Sequence, residues 1–448
     1  MIEKMNIDDL LRILDNNEAS ELHEYITEVN AQDIAALLKD LTDDKVWKLC
    51  YLLNTEDIAK VLEQAEGDEQ VRMAESITNE DLIEVFSYMQ KDDIVDLIGA
   101  IPVMQRKMLI NQMKEGDRHT IQTLLKYPED SAGGIMTTAY ISLRDDYTVS
   151  QGMAKIKQIA NRTEVIETIY IVNAKRQLVG TANLRQFLTA NKDDKLYDIM
   201  KENPITVHPE DDQEVAAKLV SRYDLNAIPV VNNRNSILGI ITVDDIIDVI
   251  VEEYNEDILE MAGVSKEENL ATTFWESVKL RLPWLFINLA TAFLASLTVK
   301  AFEGTIAEVV ALSSTMTIVT GMGGNAASQT QSILVRQLSQ EELPKSKYFK
   351  AFWKEIVLGI FNGAATGLVT GVIVSLIYGN MYLGVIILVA MIGNLIVAGI
   401  FGFLVPIVLK KLGSDPAVSS SIFVTTATDV LGFLIFLGLA QMFIPLLV

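Results

Sequence analysis

Asp429 is the residue whose position most constrains its chemistry. It ends the segment Thr425-Thr-Ala-Thr-Asp, inside a stretch that is otherwise apolar. An ionised carboxylate in contact with lipid is costly, so such a residue faces a polar cavity, pairs with another group or binds a cation. Carboxylate and hydroxyl oxygens suit Mg²⁺ or Ca²⁺ better than zinc. The alternative is a protonated Asp429 that bonds a neighbouring helix.

A glycine-rich segment, Gly323-Gly-Asn-Ala-Ala-Ser-Gln, is the second informative feature. Its glycines allow the backbone to approach a neighbouring helix or an ion closely. Asn325 and Gln329 lie four residues apart and therefore share one helix face, where both supply oxygen ligands. Tight packing of helices through small residues is the alternative interpretation. Together the two segments predict an ion pathway that holds a hydrated divalent cation and contains Gly323, Gly324, Asn325, Thr425, Thr428 and Asp429.

These segments belong to the apolar C-terminal part of the chain. We predict five membrane-spanning helices, each longer than the roughly 20 residues needed to cross the hydrocarbon core. The second is the least apolar because it contains Ser313, Ser314, Thr315, Thr317 and Thr320. The predicted spans are about 283–302, 308–333, 355–378, 382–409 and 422–445.

The positive charges around these spans predict their orientation. They gather before span one and after spans two and four, whereas the opposite side holds only Lys300. The positive-inside rule therefore places the N-terminal part in the cytosol and the C-terminus outside. The charges on the predicted cytosolic side are Lys279, Arg281, Arg336, Lys345, Lys347, Lys350, Lys354, Lys410 and Lys411.

Charge divides the chain into two parts. Residues 276–448 contain 8 acidic and 10 basic residues, whereas the preceding residues contain 52 acidic and 27 basic ones. This acidic part should repel nucleic acid and anionic lipid and attract cations. A solvated acidic surface is the simpler interpretation. The N-terminus has no signal-peptide pattern, and Cys50, the one cysteine, is expected to be a core residue.

Residues 1–127 have the pattern of an all-α solenoid. An acidic pair followed by an apolar run begins at Gln32, Glu56 and Glu80, 24 residues apart, and again at Asp92. This period fits stacked short helices, with the acids in first turns, where they suit the helix dipole.

The next segment, 128–248, alternates strands with helices. Glu167–Val172 with Gln177–Gly180, and Ala227–Val231 with Ile237–Ile241, predict two strand pairs in a unit that occurs twice. A connecting helix, Ile246–Met261, and a polar linker fill most of 249–278, before the membrane part at 279–448. We found no phosphate-binding loop and no Ser-His-Asp grouping, and therefore expect no enzyme and no catalytic residue.

Several motifs resemble one family in the right order along the chain. Gly323-Gly-Asn-Ala-Ala-Ser-Gln, Leu412-Gly-Ser-Asp-Pro-Ala and Thr425-Thr-Ala-Thr-Asp are similar to the membrane domain of MgtE magnesium channels. Tyr127-Pro-Glu-Asp-Ser-Ala-Gly-Gly resembles the family's junction between its N domain and its pair of CBS domains. Gly239-Ile-Ile-Thr-Val-Asp-Asp resembles the end of a CBS motif.

The resemblance implies a homodimeric Mg²⁺ channel in the cell (inner) membrane, which imports Mg²⁺ through a pore on the two-fold axis. It implies that cytosolic Mg²⁺, bound between the N domain, the CBS pair and the connecting, or plug, helix, closes the pore. Asp429 matches the pore carboxylate and Asn325 the asparagine of span two. The expected sensor residues are Asp92, Asp96, Asp245, Asp248, Glu253, Glu256, Asp257 and Asp415.

The sequence also departs from the family pattern. Ser313-Ser-Thr-Met replaces a proline-containing segment in span two, Ala327 replaces a glycine, and Ser420-Ser-Ile-Phe replaces a Ser-Gly-Pro-Phe turn. Asn183 and Gln186 stand where the first CBS motif would have a hydroxyl and a ribose-binding Asp, which argues against ATP binding. Two alternatives remain open: transport of another divalent ion such as Co²⁺ or Ca²⁺, and a CBS-based membrane sensor without transport.

Overall fold

The computed structural model of the chain describes residues 5–28, 30–65, 67–160, 163, 165–266, 268, 272–340, 345–413, 415–417 and 420–447. It separates into two compact units, Met1–Ile250 and Val251–Val448. Each unit has its own buried apolar clusters.

The first unit begins with short α-helices, as the repeat predicts. Asn6, Asn30, Asn54 and Thr78, each 24 residues after the last, are the N-caps of α1, α3, α5 and α7, and their side chains accept backbone N–H groups. The sequence period therefore marks helix starts. The helices are α1 Ile7–Asn16, α2 Ala19–Glu28, α3 Ala31–Leu37, α4 Asp43–Leu52, α5 Thr55–Gln64, α6 Gly67–Glu75, α7 Asn79–Val85, α8 Lys91–Ala100, α9 Val103–Gln112 and α10 Glu115–Leu124.

Strands and helices alternate in the rest of this unit. A four-stranded sheet has the order β1-β2-β3-β4, with β1 parallel to β2 and the other neighbours antiparallel. A second sheet pairs β5 with β6, so both predicted strand pairs are present. The elements are β1 Ser142–Arg144, α11 Val149–Ile159, β2 Thr168–Val172, β3 Leu178–Asn183, α12 Leu184–Thr189, α13 Leu196–Ile199, β4 Lys201–Glu202, α14 Gln213–Tyr223, β5 Ala227–Val231 and β6 Ile237–Thr242.

A long helix, α15 Val243–Met261, runs across the boundary between the units. It begins three residues before the predicted start at Ile246, so Asp244 and Asp245 lie in its first turn. Thr242 donates its hydroxyl to the Asp245 carboxylate at 2.6 Å. Residues 267 and 269–271 of the predicted linker lie outside the described residues.

Long apolar helices make up most of the second unit. They are α16 Phe274–Ala301, α18 Ala311–Gln340, α19 Lys345–Tyr378, α20 Met381–Lys411 and α21 Ser420–Met442, with short helices α17 Glu303–Glu308 and α22 Ile444–Leu447. In the described part of the chain, four of them have the length and composition to cross a membrane: α16, α19, α20 and α21. The predicted second span falls on α18, which is long enough but too rich in polar residues for this criterion.

Helix α19 begins ten residues before the predicted third span. Lys345, Lys347, Lys350 and Lys354, which we expected in a loop, therefore lie in its first turns.

Helices α19 and α20 pack through a row of glycines. Gly359, Gly363, Gly367 and Gly371 recur every four residues, and each faces α20. A Cβ at Gly363 would lie 2.6 Å from the Ile392 Cα, and one at Gly371 would lie 2.6 Å from the Gly384 carbonyl oxygen. Small residues at this spacing allow two membrane helices to approach backbone to backbone.

Substitution of Gly363 should therefore separate this pair of helices. We expect Gly363→Ala to destabilise the second unit by about 1–3 kcal/mol, because the added methyl meets backbone that cannot rotate away. Thermal unfolding in detergent, followed by size-exclusion chromatography, measures the effect. Gly438→Ala is the matched control, since a Cβ there has no neighbour within 4 Å. Equal unfolding midpoints for the two variants would contradict the packing argument.

Candidate ion pathway and acidic clusters

The two predicted pathway segments meet in the second unit. Gly324 of α18 faces Thr425 of α21, and a Cβ at Gly324 would lie 4.0 Å from the Thr425 Cγ2. Gly323 is buried, whereas Asn325 on the same helix is exposed in the single chain. The glycines thus lie against the helix bundle, and the side-chain amide of Asn325 lies on its open face.

The threonines of α21 donate their hydroxyl protons to their own helix. Thr425 Oγ1 donates to the Ser421 carbonyl at 2.8 Å, and Thr428 Oγ1 donates to the Thr425 carbonyl at 2.9 Å. Their oxygen lone pairs therefore remain as acceptors. Thr425 is half-buried, but Thr428 is fully buried, so Thr428 lies within the helix packing rather than on an accessible surface.

Asp429 is half-buried, one turn after Thr425. Among the residues that the structure describes, no Lys, Arg or His forms an ion pair with it. A carboxylate of this kind attracts a mobile cation.

Asn394 of α20 is a polar residue that our sequence analysis did not identify. It is completely buried, and its Nδ2 donates to the Val319 carbonyl of α18 at 2.8 Å. Its amide also contacts Gly323 and, on α21, Gly432. The sequence signal was available, because an asparagine inside the apolar run Met391-Ile-Gly-Asn-Leu is unusual for a lipid-facing helix.

The first unit gathers carboxylates around the start of α8, which we name the α8 cluster. Asp92, Asp93 and Asp96 of α8 lie close enough to interact electrostatically with Asp245 of α15. Predicted sensor residues from the N-terminal helices and from α15 thus meet here. The α8 cluster comprises Glu63, Asp92, Asp93, Asp96, Glu129, Asp244 and Asp245.

Burial and mutual repulsion raise the pKa values of Asp93, Asp96 and Asp245. Burial, then repulsion from Asp92, raises the pKa of Asp93 to about 9 and that of Asp96 to about 7. Burial also raises the pKa of Asp245 to about 6, against the hydrogen bond from Thr242. The Asp96 side chain stays accessible to solvent, although enough protein surrounds it to disfavour its charge. Metal-free, the cluster is therefore a site where negative charge is unfavourable.

A second group of acids, the Glu260 cluster, lies in the second unit. Burial, followed by repulsion from Asp415, Glu256 and Asp257, raises the pKa of Glu260 to about 7. Asp415 thus lies near acids of the connecting helix, and its role as a sensor residue stays a prediction. Glu260 is a member of this cluster that we had not predicted. Glu256 also pairs with Lys266 at 3.1 Å.

The predicted sensor set is therefore divided between two places. Asp245 belongs to the α8 cluster, whereas Glu256, Asp257 and Asp415 belong to the Glu260 cluster. Asp248 is exposed, and Glu253 is half-buried on the same helix. Within the described ranges, no three His, Cys, Asp or Glu side chains converge tightly enough to hold one bare ion. Hydrated Mg²⁺ fits such spacing better, because it keeps most of its water.

The raised pKa values predict how pH affects the metal-free protein. Folded Asp96 keeps its proton up to about pH 7, whereas an unfolded aspartate loses it near pH 4, so rising pH favours unfolding over this window. We expect Asp96→Asn to be more stable than wild type at neutral pH in EDTA. The difference in unfolding midpoint between Asp96→Asn and wild type should grow from about pH 4 to about pH 7, stay constant at higher pH and become smaller when Mg²⁺ is added.

Asp15 provides a control of opposite sign. The hydrogen bond from Lys45 holds the pKa of Asp15 below its usual value. The Asp15 carboxylate therefore stabilises the folded state at neutral pH, and this stabilisation is lost as pH falls. Asp15→Asn should therefore be no more stable than wild type at neutral pH, and Mg²⁺ should not change the difference. Calorimetry of the full chain in detergent gives both comparisons. The charge assignment would be contradicted if the difference in unfolding midpoint between Asp96→Asn and wild type did not change with pH.

The first CBS-like motif uses its polar side chains internally. Gln186 accepts the Asn183 N–H at 2.8 Å and donates its Nε2 to the Ile199 carbonyl at 2.7 Å. Asn183 in turn accepts the Gln186 N–H, which completes a capping box for α12. Both ends of the Gln186 amide therefore make hydrogen bonds within the motif.

Three family models match the chain in the order of its elements. The model described as MgtE intracellular N domain matches residues 29–130, the CBS domain model matches 196–252, and the model described as MgtE, divalent cation transporter, matches 316–439. The last of these covers α20 and most of α18 and α21, and so includes Asn325, Asn394 and Asp429.

Relatives that match most of the chain give the same result. The magnesium transporter MgtE of Bacillus subtilis is 34% identical over 352 residues, which are 79% of this chain and 78% of that protein. The magnesium transporter MgtE of Enterococcus faecalis is 36% identical over 72% of this chain and 71% of its own.

Solved structures resemble the N-terminal part of the chain. The soluble part of a magnesium transporter is 30% identical with a TM-score of 0.51, and covers 55% of this chain and 96% of its own. The cytosolic domain of the Mg²⁺ channel MgtE in complex with ATP has the same identity, 30%, and the same TM-score, 0.51, over 54% of this chain and 98% of its own. By sequence and fold, the chain belongs to the MgtE family of divalent cation transporters.

Proposed function

We propose that this protein carries Mg²⁺ into the cell through a pathway formed by α18 and α21. The observation that carries the proposal is the half-buried Asp429, a carboxylate on an apolar helix that has no ion-pair partner among the described residues. Thr425 offers a free oxygen beside it, and Gly323, Gly324 and Asn325 lie on the facing helix. These oxygens suit a hydrated Mg²⁺ ion, and the names of the relatives support the same cargo.

The pathway requires α18 to be a fifth span. Its polar residues would be costly against lipid, but they suit a helix that lines water or another protein surface. With five spans, the positive charges place the first unit in the cytosol and the C-terminus outside. Of the proposed divisions of the chain, 1–127, 128–248 and 249–278 are then cytosolic and 279–448 is the membrane domain.

The open face of α18 supports a dimer. Asn325 and Gln329 are exposed there in the single chain, four residues apart on one face. Side-chain amides that face lipid would lose their hydrogen bonds with water, which is unfavourable. A second copy of the chain that covers this face and encloses a water-filled pathway would avoid this loss. A two-fold arrangement would bring two copies of Asp429 to one pathway and double its negative charge.

Regulation by cytosolic Mg²⁺ follows from the acidic clusters. Carboxylates that repel one another when metal-free favour an expanded arrangement, and Mg²⁺ that screens them favours a compact one. We assign Asp92, Asp96 and Asp245 to one sensing site, and Glu256, Asp257 and Asp415, together with Glu260, to another. Asp248 and Glu253 remain candidates on the same helix. Closure of the pathway is the proposed consequence.

Nucleotide binding by the CBS pair is a separate question. A related cytosolic domain was solved with ATP. In this chain, however, Gln186 stands where the ribose-binding Asp is expected, and both ends of its amide already make hydrogen bonds within the first motif. We therefore expect ATP binding, if present, to depend on other residues of the CBS pair.

Mg²⁺ entry into proteoliposomes that contain a fluorescent Mg²⁺ indicator tests the function. We expect entry that depends on the protein and rises with an inside-negative potential, because a divalent ion gains about 4.6 kcal/mol per 100 mV. Competition by Ca²⁺ and Co²⁺ distinguishes a magnesium pathway from one for another divalent ion. Absence of any divalent flux would leave a sensor without transport.

A further inference from the structure

The Asn394 amide lies between the two helices that carry the proposed pathway. A Cβ built on Gly323 of α18 would lie 2.1 Å from the Asn394 Nδ2, and one built on Gly432 of α21 would lie 2.8 Å from the same atom. Gly323 lies two residues before Asn325, and Gly432 lies three residues after Asp429. The Asn394 side chain therefore fills the space next to both pathway segments.

Hydrogen bonding fixes the orientation of this amide. Nδ2 donates to the Val319 carbonyl at 2.8 Å, which an oxygen at the same position could not do. Among the residues that the structure describes, Oδ1 is buried without a hydrogen-bond partner. An apolar residue of similar size would fill this space without leaving a buried acceptor unsatisfied, so packing alone does not explain an asparagine here.

We propose that Asn394 is a positioning residue that sets the separation of α18 and α21 and thereby the discrimination among divalent ions. Its donor holds the α18 backbone one turn before Gly323, and its flat amide keeps Gly323 and Gly432 at a fixed spacing. A spacing held by a rigid planar group matters for ion selection, because discrimination between Mg²⁺ and larger ions depends on cavity size and rigidity. This proposal rests on the proposed transport function.

Flux ratios test the positioning role. Asn394→Leu keeps four branched side-chain heavy atoms but loses the hydrogen bond and the planar shape, and should change the ratio of Mg²⁺ to Ca²⁺ and Co²⁺ entry by about fivefold or more, whereas a residue with no part in ion selection predicts an unchanged ratio. Gly323→Ala should lower Mg²⁺ entry about tenfold through its clash with the amide. The double variant Gly323→Ala/Asn394→Ala should transport better than Gly323→Ala alone.

The matched control is Gly438→Ala on α21, where a Cβ meets nothing within 4 Å. It should keep the wild-type ratio and show no coupling to Asn394→Ala in a double-mutant cycle. The proposal is overturned if the Gly323 and Asn394 substitutions act independently and Asn394→Leu leaves the flux ratio unchanged.

A measurement that needs no transport separates this proposal from the proposed function. In a Cys50→Ala background, Gly324→Cys with Thr425→Cys places two thiols across the α18–α21 contact, where a Cβ at Gly324 would lie 4.0 Å from the Thr425 Cγ2. Disulfide formation between them should be fast with Asn394 and at least severalfold slower with Asn394→Leu. A slower rate of disulfide formation in Asn394→Leu, together with no Mg²⁺ flux through the wild-type protein, would support the spacing role and reject the transport function. An equal rate would reject the spacing role itself.

Discussion

Asp429→Ala is expected to lower the initial rate of Mg²⁺ entry by at least about 100-fold. A divalent ion about 5 Å from a carboxylate gains roughly 6–7 kcal/mol at an effective dielectric constant of about 20, and half of that already corresponds to more than a hundredfold. Removal of the carboxylate also leaves an apolar surface where the ion would need its full hydration. In a dimer, the loss would occur twice at one axis.

The charge, rather than the space, should account for the effect. Asp429→Asn keeps the volume and one carbonyl oxygen but removes the charge, so we expect nearly the same loss as with alanine. Asp429→Glu keeps the charge on a longer side chain and should retain part of the flux with altered selectivity. A higher Mg²⁺ flux for Asp429→Glu than for Asp429→Asn is the result that separates electrostatic attraction from simple packing.

Glu303→Gln is the control for neutralising an acid in the same unit, because Glu303 is exposed on α17 and is not one of the proposed pathway residues. It should leave Mg²⁺ entry unchanged. Proteoliposome flux and rescue of Mg²⁺-starved cells should agree. Wild-type rates for Asp429→Ala in both assays would contradict the assignment of Asp429 to the pathway.

Local rules were enough to predict much of the fold. The 24-residue period of the N-terminal helices was visible because each repeat begins with an N-cap residue and an acidic first turn, both determined by nearby backbone groups. Strand pairs were visible because they combine apolar runs with turns. Four helices long and apolar enough to cross a membrane were visible through length and composition, whereas the span predicted on α18 stays a prediction because α18 is more polar.

Contacts between distant segments were much harder to predict. The α8 cluster joins α5, α8, the 129 region and α15, and nothing in the sequence near Asp93 indicates that Glu63 and Asp245 lie beside it. Glu260 was missed for the same reason, since Asp415 is far away in sequence. Asn394 and the glycine row of α19 did have local signals, but their meaning depends on which helix packs against them.

Neutralising the α8 cluster should uncouple the pathway from cytosolic Mg²⁺. We expect the triple variant Asp92→Asn/Asp96→Asn/Asp245→Asn to raise the cytosolic Mg²⁺ concentration for half-maximal closure by about tenfold or more, within the usual range of coupling between sites. The reason is that these acids lie close together, and amides in their place remove the negative charge that holds Mg²⁺ in the compact arrangement, so the ion no longer favours closure.

The Glu260 cluster allows an independent version of the experiment. Glu256→Gln/Asp257→Asn/Glu260→Gln/Asp415→Asn should shift closure in the same direction, because the other three acids lie close to Glu260 and amides in their place no longer attract Mg²⁺. If both clusters sense the ion, the two sets of substitutions should combine to leave the channel open at high cytosolic Mg²⁺. Adding Asp248→Asn and Glu253→Gln then tests whether those two residues contribute beyond the clusters.

The control must remove equal charge elsewhere, because the cytosolic part is strongly acidic throughout. Asp8→Asn/Asp44→Asn/Asp193→Asn neutralises three exposed acids outside both clusters, and should leave closure by Mg²⁺ at the wild-type concentration. Patch recordings with controlled cytosolic Mg²⁺ measure all variants. Equal shifts in the control and the cluster variants would mean that Mg²⁺ acts by screening the whole acidic surface. Unchanged closure in both cluster variants would mean that these acids are a solvated surface with no part in gating.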